Sequence, residues 1–267
     1  MNHTPTLSLR EKIHRTDTLL YGMNIYSGSS TVVEIAGAYD LDFLFIDTEH
    51  TSMGIDERLE KLVLSSKVAG VDALVRVSGV VDAEIRKVLE FGATGVIIPR
   101  VDNADQMHRI IKASKFPGLG RRGGDSSVRS ASYGAPGFDW QTYCQRENDR
   151  TVIVPMAESY EFFDNIDEIL DVEGIDAVHF GPADYSLSRQ LPIDYRMQHP
   201  EVREKLALLI SKCRPKNIRV MVPCFPPDQA QAAELAAMGC DMLLLGSDIY
   251  WMNQAGKNIH TIRENLA

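Results

Sequence analysis

The sequence predicts a (β/α)8 barrel: eight parallel strands closed on themselves inside a ring of helices. Three observations predict it. Eight short aliphatic runs alternate with amphipathic stretches along the chain, as parallel strands and their crossover helices do. The runs are hydrophobic almost without interruption, the pattern of strands covered on both faces. The joins "KVAGVDA", "EFGATG" and "AMGCD" are similarly short and carry glycine. A length of 267 residues suits one such barrel, so a single domain is expected over 1–267. An open doubly wound sheet is the competing arrangement, but no GxGxxG turn follows the first strand.

The elements follow in order. "LLYGMNI" (19–25) reads as the first strand and "STVVEIAGAY" (30–39) as its helix. "FLFID" (43–47) precedes a helix over 55–70, with Asp56 near its start. "ALVRV" (73–77) precedes "VDAEIRKVLEFG" (81–92), where Gly92 is placed to end the helix. "GVIIP" (95–99) is followed by a helix over 104–115. "VIVPMAE" (152–158), "IDAVHF" (175–180), "IRVMVP" (218–223) and "DMLLLG" (241–246) complete the strands. Helices over 159–170, 200–213, 228–239 and 247–265 accompany them. The segment 116–150, rich in Gly, Ser and Arg, breaks the rhythm and reads as a long functional or interface loop.

Composition excludes several classes. Hydrophobic residues make up 44% and charged residues 24%, values of a globular chain with a core of ordinary size. The net charge of -9 argues against a nucleic-acid partner. No apolar run approaches the ~20 residues needed to span a bilayer, so no membrane partner is expected. The N-terminal "MNHTPTLSLREKIHRTD" lacks an apolar signal core. Cys144, Cys213, Cys224 and Cys240 form no CxxC pair and read as buried or incidental thiols of a reducing compartment. The expected location is cytoplasmic.

Several polar residues with chemistry to offer stand at the same end of the strands. Asp47, Glu49 and His50 stand at and just beyond the second strand, in "FLFIDTEHTSMG". Arg76 interrupts the third strand, Glu158 closes the fifth and Asp184 follows the sixth in "FGPADYS". These are carboxyl-terminal strand ends, where barrel enzymes carry their chemistry. A guanidinium in an apolar strand is costly unless it meets an anion, either a structural carboxylate or a substrate. Glu158 and Asp184 suit Mg²⁺ or Mn²⁺ as hard oxygen donors; their competing role is helix capping. His50 is a candidate proton carrier, with a surface-loop role as the alternative. Asp47 and Glu49 are expected to organise water and the histidine rather than bind an ion. In "GPAD", Gly181 allows a sharp turn and Pro182 fixes φ, freeing the amides of Ala183 and Asp184 to meet an anion.

"FLFIDTEH", "LVRVSG", "VPMAES" and "FGPADYS", in this order and spacing, resemble the HpcH/HpaI aldolases, metal-dependent class II aldolases of 4-hydroxy-2-oxo acids and 2-keto-3-deoxy sugar acids. The likeness runs from about Leu9 to the C-terminus and includes "RRGG…VRSASYG" and "MGCDMLLLGSD". It implies a divalent cofactor (Mg²⁺, Mn²⁺ or Co²⁺) on Glu158 and Asp184. It implies His50 as the proton-transfer base and Arg76 as the group beside the pyruvate enolate. Gly181 belongs to the substrate-binding turn, and the amides of Ala183 and Asp184 would hold the pyruvate carboxylate. Glu90 falls where the family has an aspartate supporting the histidine. It sits at the wrong end of its own barrel, so it is expected to reach a neighbouring subunit's His50. Met156 replaces a glutamine beside the substrate. Arg100 replaces an apolar residue, either favouring an acidic acceptor or pairing with Asp102. A homo-oligomer, a hexamer by resemblance, is expected.

The implied chemistry is reversible cleavage of a 4-hydroxy-2-oxo acid to pyruvate, or a close 2-oxo acid, and an aldehyde. No lysine stands at a strand end: Lys61, Lys67, Lys87, Lys112 and Lys115 all fall on helical stretches, which argues against a Schiff-base route. Two other readings compete: a citrate-lyase-like or malyl-CoA-lyase-like enzyme acting on acyl-CoA thioesters, and a barrel that binds a keto acid without catalysis.

Overall fold

The computed structural model describes residues 7–15 and 19–266. Eight parallel strands close into a barrel in sequence order. Helix α1 (Leu9–Ile13) precedes β1 (Leu20–Ile25), α2 (Ser30–Ala38), β2 (Phe43–Asp47) and α3 (Glu57–Ala69). Next come β3 (Asp72–Arg76), α4 (Asp82–Glu90), β4 (Gly95–Ile98) and α5 (Ala104–Ser114). A 3₁₀ turn (Arg129–Gly134) and α6 (Trp140–Arg150) lead to β5 (Val152–Ala157), α7 (Tyr160–Asp164) and α8 (Ile166–Leu170). Then come β6 (Ala177–Phe180), α9 (Pro182–Ser188), α10 (Pro200–Cys213) and β7 (Arg219–Cys224). The chain ends with α11 (Gln229–Met238), β8 (Met242–Ser247) and α12 (Asp248–Asn265).

All eight strands fall on the predicted runs. Local chemistry sets the helix ends. Asp56 accepts the Arg58 N–H to start α3, and Gly70 closes it with φ 75°, which favours glycine. Gly92 lies just beyond α4 with φ 93°, as its sequence position predicts. The single helix expected over 159–170 is two short helices meeting at Asn165. Segment 116–150 is not one long loop. Its last third is α6, and Phe116, Ala131 and Tyr143 form a small buried cluster of their own. Lys115 anchors the segment, donating to the Asn148 and Thr151 carbonyls at 2.7 and 2.8 Å.

Strand alternation builds two cores. Leu44 and Ile46, Val75, Val96 and Ile98 face outward onto the helices. Phe43 and Phe45, Leu74, Ile97, Val152, Val154 and Met156, Ala177, Met221, Met242 and Leu244 fill the barrel, with Leu9 and Ile13 of α1 in the same cluster. The same inward parity carries polar residues to the strand ends. Two residues beyond Phe45 is Asp47; two beyond Leu74 is Arg76; two beyond Met156 is Glu158; two beyond Ala177 is His179.

Candidate active site

At the carboxyl end of the strands the inward parity changes from apolar to charged. Asp47 is wholly buried and Arg76 is 6% exposed. Neither would persist there alone, because an unpaired buried charge is too costly. They pair: Arg76 Nε donates to Asp47 Oδ1 at 2.8 Å, in register across the β2–β3 ladder. Asp47 also organises the loop after β2. Its Oδ1 accepts the Glu49 N–H at 3.0 Å and its Oδ2 accepts the His50 N–H at 3.3 Å. Asp47 thus holds the guanidinium and two backbone amides, one of them that of His50.

Arg76 makes further contacts. Its Nη1 lies 3.1 Å from Glu49 Oε2, and its guanidinium carbon sits 5.2 Å from the centroid of the Phe45 ring. Glu49 Oε2 is buried without a well-formed hydrogen bond, and His50 Nε2 lies 3.6 Å from it. Burial pushes the Glu49 pKa up, and the charges of Asp47 and Asp184 add to this against Arg76 and His50. The His50 side chain is 60% exposed on its loop, open to the cavity that it lines.

Glu158 is 6% exposed and its Oε1 accepts the Arg100 N–H at 2.8 Å. Arg100 adopts φ 54° to present that amide. Burial raises the Glu158 pKa to about 7; the Arg100 amide opposes this, and the Asp184 and Glu49 charges reinforce it. Among the described residues Arg100 makes no ion pair with Asp102, which instead accepts the Ser159 hydroxyl at 2.6 Å. Gly181 has φ −98°, which any residue adopts. Its glycine is required by space: a Cβ there would lie 2.8 Å from Glu158 Cβ and 3.0 Å from Glu158 Oε2. Pro182 opens α9 and no side chain caps it, so the first-turn amides of Ala183 and Asp184 have no capping partner.

One cavity of about 460 Å³ joins these groups, lined by His50, Arg76, Met156, Gly181, Ala183 and Asp184 among others. Glu158 stands behind Gly181. Glu90 is elsewhere. It ends α4, at the amino-terminal end of the strands, with Arg86 Nε 3.8 Å away. Sequence reading missed His179, Asn24, Tyr26 and Tyr195, all of which line the same cavity. The signal for His179 was its inward parity with Ala177 in "DAVHF"; Asn24 follows Leu20 and Gly22 in the same way.

The residues present fit a divalent cation. Asp184 and Glu49 raise the proton affinity of Glu158, and Asp184 raises that of Glu49, as clustered carboxylates do. No group of three or more His, Cys, Asp or Glu forms a ready-made cage among the described residues. Two carboxylates suit a magnesium-like ion, which keeps open positions for water and substrate oxygens.

A parallel barrel with paired acid and base groups at its mouth defines an enzyme, here a carbon–carbon lyase of the aldolase type. The chain belongs to the HpcH/HpaI aldolase/citrate lyase family, whose model matches residues 20–255. It is 33% identical to 2-keto-3-deoxy-L-rhamnonate aldolase of Escherichia coli O17:K52:H18, over 97% of both chains. The crystal structure of an HpcH/HpaI aldolase from Desulfitobacterium hafniense DCB-2 superposes with a TM-score of 0.82 at 28% identity, covering 92% of this chain and 93% of that one. The citrate synthase SbnG superposes with a TM-score of 0.83 at 26% identity, covering 97% and 100%.

Proposed function

We propose that this protein is a class II pyruvate aldolase, cleaving a 4-hydroxy-2-oxo acid reversibly to pyruvate, or a close 2-oxo acid, and an aldehyde. The observation that carries the reading is the juxtaposition of a buried, fixed guanidinium and a cluster of mutually repelling carboxylates at one barrel mouth. Glu158 and Asp184 would hold Mg²⁺, Mn²⁺ or Co²⁺. When bound, such an ion supplies Lewis-acid stabilisation of charge developing on the ketone oxygen.

The remaining work belongs to the chain. Cleavage leaves negative charge on the three-carbon fragment. Arg76, immobilised by Asp47, already points its charge into the cavity and needs no reorganisation when that charge appears. His50 takes the proton from the 4-hydroxyl in cleavage and returns it in addition. Its exposure lets it reach a ligand entering from solvent. The Ala183 and Asp184 amides receive the substrate carboxylate, and Met156 forms an apolar part of the wall. A 2-keto-3-deoxy sugar acid, the substrate class in the relative's name, is a 4-hydroxy-2-oxo acid of this kind. The test is cleavage of a panel of such acids with Mg²⁺, Mn²⁺ or Co²⁺, following pyruvate release. No pyruvate from any member would refute the reading.

A homo-oligomer is part of the proposal. Helix α12 has 18 residues, of which only Asp248 is buried. Ile249, Trp251, Met252, Ile259 and Ile262 are exposed on it, an apolar load that an isolated helix does not carry into water. A second copy of the chain is its occupant, and the same assembly brings Glu90 to a neighbour's His50. A cytoplasmic setting accords with four free cysteines.

A further inference from the structure

His179 lies in β6, opposite Met156 of β5 and Met221 of β7 in the barrel ladders. It is 6% exposed, and its ring forms part of the wall of the Arg76 and Asp184 cavity. The ring meets Phe45 edge-on, with centroids 5.4 Å apart, so the imidazole and the Arg76 guanidinium flank the same aromatic ring. Its Nδ1 is buried and has no hydrogen-bond partner among the described residues. Burial pushes its pKa down to about 3, the Arg76 charge adds to this and a Met221 backbone contact opposes it. The ring is a neutral imidazole, with one nitrogen that donates and one that accepts.

A histidine serving only to fill the core is a poor account of this position. An unsatisfied buried polar atom costs about 1–3 kcal/mol, and an apolar side chain would fill the space without that penalty. Besides the Met221 backbone contact, the neighbouring side chains do not relieve it. Met156 offers only a thioether, and Phe45 and Leu244 offer no polar group. Nδ1 is closed off from the cavity, so the nitrogen open to a ligand is Nε2, which makes no hydrogen bond among the described residues.

We propose that His179 is a substrate-recognition residue: its imidazole hydrogen-bonds an oxygen of the bound 2-oxo acid from the barrel floor, the polar contact that Met156 beside it does not provide. This rests on the aldolase reading. His179 touches the substrate and takes no proton from it. It selects 2-oxo acids whose oxygens reach the floor over ligands of the same shape that are apolar there.

The test uses oxamate, an unreactive analogue of pyruvate, with the Mg²⁺-loaded full chain. In ¹⁵N-histidine-labelled wild type, the His179 resonances, identified by their loss in His179→Phe, are expected to shift when oxamate is added. Oxamate is expected to bind His179→Phe about tenfold more weakly, a difference of ~1.4 kcal/mol. Met156→Gln in the His179→Phe background is expected to recover most of that loss, because the amide restores hydrogen bonding one ladder position away. Unshifted resonances at saturating oxamate, or equal affinity in wild type and His179→Phe, would overturn the assignment. The nitrogen spectrum is read on wild type and does not depend on any variant folding. Failure of wild type itself to bind oxamate would instead strike the aldolase reading, so the two are distinguishable.

Discussion

Asp47 Oδ1 accepts the Arg76 Nε–H at 2.8 Å across the β2–β3 ladder, and the same oxygen accepts the Glu49 amide at 3.0 Å. One buried carboxylate thus fixes both the guanidinium and the start of the loop that bears His50. Removing it strands a buried cation. Asp47→Ala is expected to cost about 3–5 kcal/mol of stability, seen in the denaturant midpoint. Arg76→Lys keeps the charge but loses the planar fork. It is expected to fold and to turn over about 100-fold more slowly, measured by single-turnover cleavage.

The carboxylate pair gives a second expectation. Glu158→Gln and Asp184→Asn each remove a hard anionic donor. Each is expected to weaken Mn²⁺ binding at least ~10-fold in a calorimetric titration and to lower activity in parallel, with the circular dichroism unchanged. Wild-type affinity in either variant would contradict the ligand assignment.

Lys115 gives a pH dependence away from the site. Burial lowers its pKa from 10.5 to about 8 in the folded protein. Below that value both folded and unfolded chains carry the proton and the folded state bears the full burial penalty. Between pH 8 and 10.5 the unfolded chain holds more of the proton, so stability rises with pH. The stability difference between wild type and Lys115→Met is expected to move in favour of wild type by up to roughly 3 kcal/mol across that window. Urea unfolding at pH 7.5 and 10 measures it; a constant difference would contradict it.

Helix α12 predicts assembly. Replacing exposed Trp251, Ile259 and Ile262 by glutamate is expected to reduce the sedimenting mass to that of one chain. Glu90→Ala, away from that helix, is expected to leave the mass unchanged and lower turnover about 10-fold. A monomeric and fully active wild type would contradict both.

The strands were legible because a parallel barrel demands continuous apolar runs, and this chain supplies eight of them. The site was legible where charge interrupts such a run: Asp47, Arg76, Glu158. Helices α6 and α9 were not. The first lies in a polar, glycine-rich segment without strong periodicity, and the second is seven residues long, hidden behind the "GPAD" turn. His179 escaped because its one signal in "DAVHF", the parity it shares with Ala177, has meaning only once the closed barrel shows that Ala177 faces inward. The glycine at 181 was read for backbone freedom, whereas its reason is the Glu158 side chain packed against it.

The central claim is that this barrel mouth makes a three-carbon enolate accessible. Exchange of the pyruvate methyl protons into D₂O, followed by proton NMR with Mg²⁺ or Mn²⁺ present, tests it most directly. Metal-dependent exchange, lost in Arg76→Ala and His50→Ala, is the predicted result. No exchange by wild type with Mg²⁺, Mn²⁺ or Co²⁺, or equal exchange by the Arg76→Ala variant, would contradict it.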